Sequence, residues 1–110
     1  MDNSHNTAYA ELECMYNELN SYLESVILGP EHDELVAKCE QLGNKIYDYH
    51  AAILVNNSRI LSAEQESLKV IINKAKEARE ALEAAENKVK ILAQVANAID
   101  KVFEQLSKFL

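Results

Sequence analysis

The chain of 110 residues has no tryptophan, one proline and two glycines. Two glycines are too few for a phosphate-cradling loop or a dinucleotide fingerprint, and no nucleophile elbow is present. No apolar run approaches the roughly 18 residues that a membrane-spanning helix needs. The opening stretch MDNSHNTAYAELE lacks the basic region and apolar core of an export signal, so a cytoplasmic location is expected. Cys14 and Cys39 are then reduced thiols. Asn56-Asn57-Ser58 matches a glycosylation acceptor, but without an export route it reads as a turn.

Cations are missing from the front of the chain. Residues 1–37 hold eight acids and no lysine or arginine, whereas residues 88–110 hold Lys88, Lys90, Lys101 and Lys108 against Asp100 and Glu104. The total charge is −7. An acidic front half disfavours direct nucleic-acid binding and suits a basic protein partner. Glu11, Glu13 and Glu18 are the candidate contacts on that face.

Metal and catalytic patterns are also absent. No Glu-x-x-His pair supports a di-iron site, and the two cysteines have no zinc-ligand spacing. His32, Asp33 and Glu34 read as the solvated first turn of a helix. In Tyr47-Asp48-Tyr49-His50 the aspartate and histidine point to different helix faces, so His50 reads as a half-buried packing residue. No catalytic, metal or cofactor residue is nominated, and a non-enzyme is expected. Tyr9, Tyr16 and Tyr22 stand among the glutamates of the first helix. They fit equally a binding surface and the rim of a core.

What is abundant is helix-forming sequence. With 48 % hydrophobic and 26 % charged residues, the composition is that of one folded domain. An all-α fold is expected. A first helix over about 7–28 has Thr7 as N-cap and a stripe of Leu12, Tyr16, Leu19, Leu23 and Val26. Gly29-Pro30 ends it. A second helix over about 30–55 carries Leu35, Cys39, Leu42, Ile46, Tyr49 and Ile53, with Gly43 marking a close helix approach.

A third helix over about 62–109 starts at the capping box Ser62-Ala63-Glu64-Gln65. From Leu61 to Leu110 its heptad seam is apolar at fourteen of fifteen positions. A seven-residue repeat sustained over that span is a coiled-coil pattern. The stretch Arg79–Val89 contains no turn former, so the seam predicts one continuous helix of about 72 Å. A hairpin of the first two helices covers only half of such a rod. The rest, with Leu92, Val95, Ile99, Val102, Phe103, Leu106 and Phe109, is then an exposed association surface for another protein or a second copy. The alternative is a bend near Asn87 that closes an up-down-up-down four-helix bundle.

The leading functional expectation is an acidic helical interaction module, such as a cytosolic inhibitor, an immunity protein or a secretion chaperone. The alternative is a peripheral protein that lays its amphipathic C-terminal helix on a membrane surface.

Overall fold

A computed structural model describes residues 4–55, 65–84 and 91–108. Four α-helices make up almost all of them: α1 (Ser4–Ser25), α2 (Asp33–Leu54), α3 (Gln65–Ala84) and α4 (Leu92–Leu106). A 3₁₀ turn, Pro30–His32, leads into α2. No strand occurs among the described residues. None of their helices is long and apolar enough to cross a membrane.

The α1 stripe is Ala8, Leu12, Met15, Leu19 and Tyr22, all buried. It shares Leu12 and Leu19 with the expected stripe but is rotated, leaving Tyr16, Leu23 and Val26 at its margin. The rotation arises because α1 is covered from two sides, by α2 and by α3. The phenol of Tyr16 then keeps its polar tip at the rim. Helix α1 already runs from Ser4, so Thr7 lies within it rather than capping it.

At the other end the helix stops at Ser25, and Ile27 and Leu28 are exposed in the turn. Proline supplies a fixed φ at the start of the 3₁₀ turn and needs no amide partner there. His32 corrects the expected solvated first turn, because it is 4 % exposed. The Gly29 amide donates to its Nδ1 at 3.1 Å, and its Nε2 lies 3.3 Å from the Tyr22 hydroxyl. With Nδ1 accepting, the neutral ring carries its proton on Nε2 and donates to Tyr22. Asp33 and Glu34 are exposed as expected.

Helix α2 returns antiparallel to α1. Tyr49 near its end meets His5, and His32 before its start meets Tyr22. Leu35, Cys39, Leu42, Ile46 and Tyr49 are buried, as their spacing predicts. In α3 the seam residues Leu68, Ile71, Ala75, Ala78 and Leu82 are likewise buried. Its alanines leave room for the close approach of neighbouring helices.

The expected unbroken rod over 62–109 is replaced by two helices that pack on one another, which collinear parts of one straight helix cannot do. The longest dimension of the molecule, 43 Å, is also too short for such a rod. Residues 85–90, including Asn87, lie outside the described residues, as do Ser62 and Asn56-Asn57-Ser58. The heptad register misled because antiparallel neighbours and a two-sided core also favour a seven-residue apolar spacing.

The principal helix contacts are α1 with α2, α2 with α4, α4 with α3, and α3 with α1. The consecutive helices α2 and α3 are not among them, which departs from the sequential neighbour order of a simple up-down-up-down bundle. Helix α4 runs in the direction of α2. Leu35 shares a cavity with Leu92 and Ala96, and later in both helices Lys45 meets Phe103. One apolar cluster links all four helices. Each fully buried leucine or isoleucine in it stabilises the fold by about 1.5–3 kcal/mol.

Candidate functional site

The residues nominated for association separate into three groups. Val95, Ile99, Val102 and Leu106 are fully buried in the intrachain core, and Leu92 is nearly so. Phe103 is half-buried, with the Lys45 ammonium 5.2 Å from its ring centre. Phe109 lies outside the described residues. The apolar face of α4 is therefore covered by α2 and α3 rather than presented to solvent.

The three glutamates fall on two flanks of α1. Glu11 reaches α3, where Arg79 Nη2 lies 3.5 Å from its Oε2. Glu18, seven residues later, is on the same flank of α1 and half-buried. Glu13 is on the opposite flank and lines a groove between α1 and α2.

That groove has a volume of about 690 Å³ and is lined by Tyr9, Glu13 and Tyr16 from α1 and by Glu40, Gly43, Asn44, Ile46, Tyr47 and His50 from α2. Helical spacing explains the set. On α1, positions 9, 13 and 16 form one stripe beside the core stripe. On α2, positions 40, 43, 47 and 50 do the same. Gly43 forms part of the floor, where an added Cβ would come within 2.8 Å of the Tyr16 hydroxyl. The expected close approach at Gly43 is thus an approach of this phenol.

The groove is aromatic and carries carboxylates. The rings of Tyr9 and His50 stack with centroids 4.3 Å apart and planes inclined by 12°. Tyr9 donates its hydroxyl proton to Glu13, and this hydrogen bond, with partial burial and the nearby negative charge, raises its pKa above the ordinary tyrosine value. Tyr47 is 77 % exposed at the groove edge.

Among the described residues of the lining, no lysine or arginine offsets the carboxylates. Helix α1 contains no lysine or arginine, and α2 contains only Lys38 and Lys45. Both of these turn to α4: Lys38 pairs with Asp100 and with Glu34 of its own helix, and Lys45 covers Phe103. The packing of α4 thus draws the cations of α2 to the flank away from the groove.

Other features resolve into structural roles. Cys39 is buried and donates to Asn20 Oδ1 at 3.4 Å, and burial raises its thiol pKa, with a smaller contribution from Glu40. Cys14 is exposed. Among the described residues no group of three His, Cys, Asp or Glu side chains could hold a metal ion.

Sequence reasoning singled out Tyr9, Glu13, Tyr16, Gly43 and His50 but did not join them, and it passed over Glu40 and Tyr47. The missing signal was the second stripe at 40, 43, 47 and 50, which emerges only once the core stripe of α2 is subtracted. The chain matches no family model, no curated protein and no solved structure.

Proposed function

We propose that the protein is a protein–protein interaction module whose α1/α2 face docks a basic segment of a partner. The observation that carries this reading is the groove lined by Tyr9, Glu13, Tyr16, Glu40, Tyr47 and His50, with no lysine or arginine among its described lining residues. Tyrosines offer broad contact area at small entropic cost, and carboxylates draw a basic chain to them. In this reading the four helices close around their shared core as a monomer. The expected association through α4 is thereby transferred to the α1/α2 face.

Association with a membrane surface is the weaker reading, because it requires α4 to withdraw Val95, Ile99, Val102 and Leu106 from that core. The test is a titration of the ¹⁵N-labelled protein with a short arginine- and lysine-rich peptide, followed by backbone amide shifts. Shifts confined to the groove on α1 and α2 support the proposal. Unchanged spectra at low salt, or shifts scattered over all four helices, overturn it.

A further inference from the structure

We propose that the groove receives a single arginine side chain of the basic segment, with its guanidinium packed flat against the aromatic walls beside His50, and that protonation of His50 expels it. The inference rests on the docking reading above and adds the chemistry of the occupant and its control.

The walls match a planar cation better than a point charge. Tyr9 and His50 already form a near-parallel pair, and Tyr16 and Tyr47 line the same space. A guanidinium is flat, weakly hydrated and stacks on aromatic faces, whereas an ammonium is compact and strongly hydrated. Glu13 and Glu40 supply carboxylate oxygens, which the guanidinium fork can engage two at a time. Glu13 also accepts the Tyr9 proton, so the carboxylate and the stacked ring are held together.

The same walls make the site sensitive to one proton. His50 is half-buried, stacked on Tyr9 and part of the lining. The titratable groups that share the groove with it are Tyr9 and Glu13 from α1 and Glu40 and Tyr47 from α2. Histidine is the side-chain type whose charge changes around neutral pH. The other two histidines are engaged elsewhere: His5 bonds Tyr49 and His32 bonds Gly29 and Tyr22. A protonated His50 places a positive charge where the guanidinium sits. Binding and protonation then oppose one another, and the opposition is reciprocal.

The experiment follows the His50 ring by proton NMR from pH 5 to 8.5, with and without a peptide of alternating arginine and glycine. Parallel titrations use the lysine and citrulline versions. The arginine peptide is expected to bind about tenfold more tightly than the lysine peptide. The citrulline peptide, of the same shape without charge, is expected not to bind. Saturating arginine peptide should shift the His50 midpoint to lower pH while leaving His5 and His32 in place. His50→Gln should weaken binding at pH 8 by removing part of the aromatic wall, and should abolish the further fall in affinity toward pH 5.5. If groove amides respond but lysine binds as well as arginine and the His50 midpoint stays still, this inference fails and the docking reading stands. Silence of the groove amides toward every peptide at pH 8 sinks both.

Discussion

Lys45 of α2 holds its ammonium 5.2 Å from the centre of the Phe103 ring of α4. The contact places Phe103 at the rim of the core, covered by a cation, while Ile99 one turn earlier is fully buried. The two positions therefore differ in what a substitution does. Phe103→Ala removes a half-buried ring and is expected to cost about 1–2 kcal/mol. Ile99→Asp forces a carboxylate into the shared core, and the whole helical signal should then be lost in one cooperative transition. Circular dichroism with urea distinguishes them. An Ile99→Asp protein that keeps α1 and α2 folded would show that α4 is not part of a single core.

Glu11 and Arg79 make a second test of how helices are joined. Their facing atoms lie 3.5 Å apart, and Glu11 Oε2 is buried without a hydrogen bond among the described residues. Removing the cation alone, as Arg79→Leu, strands that oxygen and should cost about 1–3 kcal/mol. Replacing both residues by leucine removes the stranded group and should recover most of the loss. Denaturation of the two single variants and the double variant completes the cycle. Additive losses would mean that the pair is not coupled.

Gly43 sits within α2, where glycine costs about 1 kcal/mol relative to alanine. Among the described residues, the atoms nearest to a methyl group there belong to the Tyr16 ring end, with its hydroxyl at 2.8 Å. A phenol at the rim can swing aside. Gly43→Ala is therefore expected to raise the melting temperature slightly and to change the groove, weakening capture of the basic peptide. A variant that melts lower would mean that Tyr16 is fixed more firmly than its half-buried position implies.

The helices were legible because their stripes repeat at helical spacing. All the α2 core positions from Leu35 to Tyr49, and the α3 positions from Leu68 to Leu82, could be read that way. What could not be read was that α3 and α4 are separate helices packed on one another. The stretch Arg79–Val89 contains only good or neutral helix formers, so local propensity favours continuation. The widened apolar face of Leu92–Leu106 is the stronger signal: Leu92, Val95, Ala96, Ala98, Ile99, Val102 and Leu106 are all buried, more than a two-position seam holds. A face that broad is covered on two sides, here by α2 and α3, and tertiary burial outweighs propensity. The groove was harder still: Glu13 was nominated for its charge alone, and Glu40 comes from a stripe that looks like an ordinary solvated face until α1 and α2 are placed side by side.

Tyr49 sets the response of the fold to alkali. Its ring is fully buried, its hydroxyl lies 2.7 Å from His5 Nδ1, and burial drives its pKa far above the ordinary tyrosine value. Tyrosine is neutral when protonated, so the folded protein retains a proton that the unfolded chain releases above about pH 10. The unfolded state then binds fewer protons than the native state, and stability must fall as pH rises. Below pH 10 both states hold the proton and Tyr49 contributes no pH dependence. Above it the expected loss from this residue is about 1.4 kcal/mol per pH unit. Tyr22, whose pKa is raised by burial and by Glu31, and Tyr9 add smaller losses of the same sign. Urea unfolding at pH 8, 10.5 and 11.5 should show this decline. The tyrosinate absorbance of Tyr49 should appear only together with loss of helical signal. Tyr49→Phe should flatten the alkaline decline while lowering stability at pH 8 by about 1 kcal/mol, the net worth of the lost bond to His5. Ionisation of Tyr49 near pH 10 with the helices intact would show that the ring is reached by water without unfolding, and would remove the basis for this prediction.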